Sequence, residues 1–146
     1  MKLSTRGRYG LRALVDLAAN SGENAVSLMQ TARRQKLSLN YLEQVFASLR
    51  RAGLVSTVKG AGGGYALARD MDEITVKEVL EALEGKISIA DADAGSEKDE
   101  VQAAIRRLLW DEIDRQVDTL LESRTLGGLV RKYQCRMQIK RKDDSR

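Results

Sequence analysis

Hydrophobic residues at helical spacing predict two helices at the start of the chain. The first covers residues 4–21, where one stripe is formed by Leu11, Leu14, Val15 and Ala18. The second covers residues 27–36 and opens on Ser27 and Gln30, which have the spacing of a capping box. Only a short connection near Lys36 and Leu37 separates this second helix from the cap of the next helix at Ser38. Two helices joined this closely are typical of a helix-turn-helix.

A third helix is predicted from Leu39 to about Arg51, between a cap at Ser38 and a glycine stop at Gly53. Its apolar face consists of Leu39, Leu42, Val45, Phe46 and Leu49. Its opposite face consists of Asn40, Gln44, Ala47 and Arg51, flanked by Tyr41, Glu43 and Ser48. Amide and carboxylate groups on such a face can read base edges, and small residues allow close approach to a major groove.

Two β-prone runs, residues 54–58 and 65–67, predict a hairpin around the turn Lys59-Gly60-Ala61-Gly62-Gly63-Gly64. The turn has no G-K-[ST] sequence, so it is not a P-loop. In a G-x-G-x-x-G frame starting at Gly60, Tyr65 stands where the third glycine belongs. The pattern therefore favours a β-wing that contacts DNA over a site for cofactor phosphates.

The second half of the chain is predicted to be helical. A capping box at Thr75 and Glu78 opens a helix through Leu83, and residues 86–100 are small and acidic, as in a loop. A long amphipathic helix follows, from Val101 to about residue 122. Its stripe, the candidate dimerisation surface, includes Val101, Ile105, Leu108, Leu109, Ile113, Val117 and Leu120. A helix of this length needs a partner surface, and pairing with a second copy is favoured over folding back on its own domain.

Thr125 is expected to cap a short last helix, which Gly127 and Gly128 weaken, followed by a fraying basic tail. Together these elements predict a mainly α fold, a winged helix-turn-helix domain with a small two-stranded β-wing plus a long C-terminal dimerisation helix. The expected divisions are 1–85 for the DNA-binding domain, 86–100 for the linker, 101–134 for the dimerisation helix and short helix, and 135–146 for a disordered tail.

The charge distribution supports a polyanion partner. Residues 1–69 carry 11 Lys or Arg against 3 Asp or Glu, whereas residues 70–130 carry 7 against 16. Arg6, Arg8 and Arg51 are candidates to neutralise phosphates. Two alternatives stay open, a basic face that is merely solvated and a winged helix that serves as a protein-docking adaptor.

Composition excludes several other classes. Histidine is absent, which removes the commonest general base and argues against an enzyme and against a metal site. The single cysteine, Cys135, excludes an internal disulfide, and no signal peptide or run of eighteen apolar residues is present, so a cytoplasmic protein without membrane contact is expected. Arg131, Lys132 and Arg136 would favour the thiolate of Cys135, so a redox switch there is an alternative to an incidental cysteine.

Four segments resemble the Rrf-two family of bacterial regulators: MKLSTRGRYGLRALVDLA, LSLNYLEQVFASLRRAGLV, VKGAGGGYAL and ITVKEVLEALEG. The resemblance implies a homodimer that binds palindromic operators in double-stranded DNA. It also matches Tyr41, Glu43, Gln44, Lys59 and Gly60 to DNA contacts and puts Asn40 where relatives carry a small polar residue facing DNA. The complete candidate DNA-binding set is Arg6, Arg8, Ser38, Asn40, Tyr41, Glu43, Gln44, Arg51, Lys59 and Gly60.

The chain departs from the family pattern in the loop at residues 86–100. The cluster-binding members carry three cysteines there, whereas this loop has none. We therefore expect no iron–sulfur cluster and no other cofactor. The resemblance then points to the branch of the cysteine metabolism repressor, which implies a repressor regulated through a partner enzyme of cysteine synthesis.

Overall fold

The computed structural model describes residues 3–22, 24–60, 62–93 and 99–145. The elements in chain order are α1 (Thr5–Asn20), α2 (Leu28–Gln35), α3 (Leu39–Arg51), β1 (Val55–Val58), β2 (Gly64–Leu67), α4 (Val76–Glu84), a 3₁₀ turn (Ala90–Asp93), α5 (Glu100–Ile105), a π-helical turn (Arg106–Trp110), α6 (Asp111–Ser123) and α7 (Leu126–Asp144). The mainly helical fold with one two-stranded antiparallel sheet is as predicted. No described helix is both long enough and apolar enough to cross a membrane.

The core lies where α1 and α3 meet α4 and the start of α7. The predicted apolar face of α3 is confirmed, because Leu42, Val45, Phe46 and Leu49 are all fully buried and Leu39 packs at their edge. The stripe of α1 is shifted from the expected one. Its buried apolar residues are Ala13, Leu14, Leu17 and Ala18, while Leu11 and Val15 are only partly covered.

The caps hold the helix-turn-helix as the sequence indicates, with one difference. The hydroxyl of Ser38 accepts a hydrogen bond from Tyr41 N at 3.3 Å, and Gly53 adopts a φ of +77° after α3. Ser27 caps α2 by accepting from Met29 N at 3.2 Å, rather than through the capping box expected with Gln30. The capping box at Thr75 is present.

The wing is tied to the body of the domain by a contact that the sequence did not predict. Strands β1 and β2 pair with Val55 opposite Leu67. Val26 and Tyr65 also exchange two backbone hydrogen bonds of 2.8 Å. They form an isolated antiparallel β-bridge between the segment before α2 and strand β2. A Cβ at Gly64 would lie 2.3 Å from Val26 O, which explains the need for glycine there.

The long helix predicted from residue 101 is built from α5, the π-helical turn and α6. One side of α6 faces its own domain, where Lys77 on α4 forms ion pairs with Asp118 at 2.7 Å and Glu122 at 2.9 Å. The described residues of α5 and α6 include none that is fully buried. The fold-back interpretation thus accounts for one side of α6, and most of the apolar stripe is left in solvent.

The segment before α5 is held in place as far as residue 93. Asp114 on α6 accepts hydrogen bonds from Ser88 Oγ at 2.6 Å, Ile89 N at 2.8 Å and Ala90 N at 3.1 Å. Burial raises the pKa of the Asp114 carboxyl, but these hydrogen bonds outweigh it, and the net pKa is lowered. Residues 94–98 of the predicted loop lie outside the described residues.

The expected short last helix and fraying tail were wrong, because α7 runs without interruption to Asp144. Gly127 sits in the first turn, where a Cβ would lie 2.1 Å from the Asp72 carboxylate, and the helix continues through it. Beyond it the sequence is rich in Arg, Lys, Gln and Met, which favour helix, and Arg141 and Lys142 suit the C-terminal end of the helix dipole.

Candidate nucleic-acid interface

The outward face of α3 presents polar side chains. Asn40, Glu43 and Gln44 are exposed, Ala47 is half-buried, and Arg51 is exposed further along the same helix. Within the part of the chain that the structure describes, the side chains of Asn40, Glu43 and Gln44 have no hydrogen-bond partner in the protein. Their donors and acceptors are therefore free to meet the edges of bases.

Ser48 does not lie at the exposed position that the sequence predicted. It is buried rather than exposed beside the outward face, and its hydroxyl accepts hydrogen bonds from Arg6 Nη2 and from Arg51 Nη2, the latter at 3.1 Å. Two guanidinium groups, one from α1 and one from α3, are thus gathered at one point beside the helix. Such a pair suits a phosphate of the DNA backbone.

Tyr41 is half-buried at the start of α3 and packs against the core. Its hydroxyl oxygen is buried and has no hydrogen-bond partner among the described residues. The Tyr41 ring meets the edge of Tyr9 on α1 at a centroid distance of 6.4 Å, and the guanidinium of Arg12 lies 4.9 Å from the Tyr9 ring. The sequence had shown Tyr9 and Arg12 only as parts of a basic stretch, because nothing in the periodicity of α1 reveals a partner on α3.

The turn between α2 and α3 is fixed by a buried carboxylate on α1. Asp16 is 2% exposed and binds Arg34 through Nε at 2.9 Å and Nη2 at 2.7 Å, while Gln35 Nε2 donates to it at 2.8 Å. The hydrogen bond to Asp16 raises the pKa of the Arg34 guanidinium. Lys36 follows in a left-handed conformation with φ +56°. Arg34 is therefore a structural cation and is not free for DNA.

The other predicted contact residues lie at the ends of their elements. Arg8 is exposed and donates through Nε to Leu3 O at 3.2 Å. The hydroxyl of Ser38 accepts the hydrogen bond that caps α3. In the wing, Lys59 and Gly60 are exposed, and Gly60 has a φ of +108°. Ala61 lies outside the described residues. The structure thus offers Arg8, Lys59 and Gly60 to solvent, whereas Ser38 is already engaged.

The candidate dimerisation residues form an exposed apolar stripe. The exposed fractions are 66% for Val101, 41% for Ile105, 81% for Leu108, 46% for Leu109 and 49% for Leu120. Ile113 and Val117 are half-buried. Apolar side chains that recur along one helix with this exposure form a surface suited to a protein partner.

A single cysteine does not fit an iron–sulfur cluster, which is held by several thiolates. The described residues contain no group of three His, Cys, Asp or Glu side chains able to hold a metal ion. The only cysteine in the sequence, Cys135, is exposed on α7. In the segment before α5, Ser88, Ile89 and Ala90 are hydrogen bonded to Asp114 instead.

Comparison with known proteins points to one kind of regulator. A family model, Rrf2, described as an iron-dependent transcriptional regulator, matches residues 3–132. The HTH-type transcriptional regulator IscR of Cereibacter sphaeroides is 44% identical over 137 residues, which cover 90% of this chain and 88% of that protein.

Two solved structures extend the comparison. The structure of CymR, described as the global cysteine regulator of B. subtilis, has a TM-score of 0.77 and 40% identity and covers 90% of this chain and 98% of its own. The structure of T. potens IscR has a TM-score of 0.71 and 38% identity, with 91% of this chain and 88% of its own covered. The family and the relative from C. sphaeroides are named as transcriptional regulators, and none of these proteins is named as an enzyme.

Proposed function

The chain belongs to the Rrf2 family of DNA-binding transcriptional regulators, and we propose that it acts in the cytoplasm as a homodimeric repressor without an iron–sulfur cluster. Two copies would bind a palindromic operator in double-stranded DNA, each with α3 in a major groove and the wing against the neighbouring backbone or minor groove. The proposed divisions are those of the sequence, a DNA-binding domain over 1–85, a linker over 86–100 and a dimerisation region over 101–134.

The outward face of α3 is the observation that carries the DNA-reading proposal. Asn40, Glu43 and Gln44 combine donors and acceptors that the protein leaves free, and Arg6 and Arg51 meet at Ser48 beside them. Base edges would be read by the first group and phosphates held by the second. The wing adds Lys59 and the backbone of Gly60.

The exposed stripe of α5 and α6 supports the dimer. Leu108 at 81% exposure and Val101 at 66% would each lose most of their contact with water against a second helix. Fully burying a side chain of this type stabilises by about 1.5–3 kcal/mol, so a stripe of five can outweigh the entropy lost on association. A dimer would also present two reading helices to the two halves of a palindrome.

Absence of a cluster is proposed from the chemistry of the chain. Iron–sulfur clusters are held by several thiolates, and this sequence offers one cysteine and no histidine. Relatives of both names, IscR and CymR, are similar to this chain, and the donor set favours the CymR-like alternative. A partner enzyme of cysteine synthesis is part of that proposal and would be sought by affinity capture.

The central experiment selects bound sequences from a random DNA pool and then measures variants on the winning operator and on random DNA. Gln44→Ala should cost about 1–3 kcal/mol on the operator and relax base preference. Arg8→Ala should weaken both DNAs alike and reduce the salt dependence. Gln138→Ala, an exposed change on α7, is the matched control. Equal losses on both DNAs for Gln44→Ala would contradict its reading role, and failure to select any DNA would favour the adaptor.

The cluster is tested separately by the visible spectrum and the iron content of protein purified without oxygen. We expect neither a visible absorption band nor stoichiometric iron. Intense visible absorption with iron at more than one atom per chain would contradict this part of the proposal, while leaving the DNA-binding part intact.

A further inference from the structure

A cavity of about 350 Å³ lies between α1, the end of α2 and α7, and none of its lining residues belongs to α3. Its walls are apolar, formed by Leu11 and Val15 on α1 and by Leu129 and Tyr133 on α7. Two guanidinium groups, Arg8 and Arg12, lie among its lining residues. Ligand sites typically combine this size with apolar walls and a few convergent polar groups.

The charge of the cavity selects the ligand class. The one carboxylate in the lining, Asp16, is already neutralised by Arg34 and hydrogen bonded to Gln35. Arg8 and Arg12 therefore leave a positive surface beside apolar walls. Guanidinium groups bind carboxylates in a paired, charge-assisted geometry. A small organic anion with an aliphatic or aromatic body fits both features.

Arg12 also connects the cavity to the DNA-reading helix. Its Nη2 donates to Gln35 O at 2.7 Å, at the last residue of α2, directly before the turn that leads to α3. Its guanidinium lies over Tyr9, and Tyr9 meets Tyr41 at the start of α3. An anion that binds Arg12 competes with both contacts. The same anion would draw Arg8 away from the phosphate that it is proposed to neutralise.

We propose that this cavity is an effector site for a small amphipathic organic anion, and that its occupation lowers affinity for the operator. The proposal rests on the proposed DNA-binding function for its readout. The energetic link is a change in the position of Arg12, which contacts Gln35 and Tyr9 in this structure.

The test uses octanoate as the probe, below its micelle-forming concentration, with octanol and octylamine as uncharged and cationic comparisons. Calorimetry on the full chain should show saturable octanoate binding and much weaker binding of the other two. Arg12→Gln should weaken octanoate binding about tenfold, because a charge-assisted contact is lost. Leu129→Trp, which fills the cavity from α7, should abolish it, and Lys132→Gln, exposed on the same helix, should leave it unchanged.

The second readout is operator affinity, measured by fluorescence anisotropy. Saturating octanoate should lower it about fivefold or more in the wild type, within the usual range of coupling between sites, and should leave Leu129→Trp unaffected. Should Leu129→Trp not fold, Leu129→Gln makes the same wall polar without added bulk.

Any of three results with the wild-type protein overturns the proposal: no saturable octanoate binding, equal binding of octylamine, or octanoate binding without a change in operator affinity. An equal loss of affinity in Leu129→Trp would reveal a detergent effect and would also overturn it. DNA binding without octanoate is measured first, so a failure of the DNA-binding function is seen independently of the cavity.

Discussion

The helix α3 and the helical segment formed by α5 and α6 both carry a regular apolar stripe, but the chain covers only the first. In α3, Leu42, Val45, Phe46 and Leu49 are all fully buried. Leu108 in the π-helical turn is 81% exposed. Periodicity thus identifies an apolar face equally well in both regions, yet it does not say whether the covering surface comes from the same chain or from another.

The two regions also differ in how they are fastened. The DNA-binding region is held by a shared hydrophobic core, whereas α6 is held to its own domain mainly by polar contacts. Lys77 bridges Asp118 and Glu122, and Asp114 binds the segment around Ser88. These polar contacts fix the orientation of α6 but do not cover its apolar stripe. This difference supports the proposed dimer interface on the C-terminal region, and the largest predicted effect lies there.

Leu108→Asp tests the exposed stripe. A charge in the centre of a helix pair would be buried without a counter-ion, which costs about 3 kcal/mol or more. We expect a dimer to become a monomer in sedimentation at micromolar concentration, and operator affinity to fall about 100-fold, as each copy then binds one half-site alone. Because Leu108 is exposed in the single chain, the helical content should stay the same.

Gln102→Asp is the control for that variant, since it adds the same charge to an exposed polar position of α5. It should remain dimeric. A wild-type protein that sediments as a monomer at micromolar concentration would contradict the dimer itself, and a dimeric Leu108→Asp would move the interface elsewhere.

Gly64→Ala tests the link between the wing and the DNA-binding body. A Cβ there would lie 2.3 Å from Val26 O, and Gly64 has a φ of +154°. We expect a loss of about 1–3 kcal/mol in the free energy of unfolding by urea, from strain and overpacking. Gly62→Ala is the matched control, because a Cβ at Gly62 has nothing within 4 Å. Equal losses for the two variants would show that the Val26 contact is not the cause, because a Cβ at Gly62 meets no atom.

The sequence predicted the DNA-binding region better than the C-terminal region for a physical reason. Caps, glycine stops and apolar faces are local, and they located α3, the wing and α4 correctly. The sequence did not predict contacts between residues far apart in the chain, such as Val26 with Tyr65 at the wing or Arg6 with Ser48 beside α3. Gly127 misled it, since a glycine that weakens a helix looks the same in the sequence as one that lies beside a neighbouring side chain, here Asp72.

Asp114→Asn tests the polar anchor of α6. The Asn side chain would accept fewer hydrogen bonds from Ser88, Ile89 and Ala90, and we expect a loss of about 1 kcal/mol at pH 7, limited by solvent screening. The pKa of Asp114 is lowered in the folded protein. Its stabilisation is therefore present above the ordinary carboxyl pKa and is lost as pH falls through the lower, folded pKa.

Urea unfolding of the wild type and the variant at several pH values measures that effect, and the two curves should converge at acid pH. Asp111→Asn is the control, because the contact of Asp111 among the described residues is a 3.7 Å ion pair with Arg106. It should change stability less than Asp114→Asn at pH 7. A difference between the wild type and Asp114→Asn that persists unchanged at acid pH would show that the carboxylate is not the source.

Cys135→Ser is expected to have the smallest effect, because Cys135 is exposed on the outer part of α7. Unfolding free energy and operator affinity should stay within about 0.5 kcal/mol of the wild type, as for most surface changes. The same variant separates the redox alternative from regulation through the cavity or a partner. Peroxide treatment should leave operator affinity unchanged in both proteins, as measured by anisotropy. A peroxide-dependent loss in the wild type that Cys135→Ser abolishes would instead make this thiol the sensor and α7 the element through which it acts.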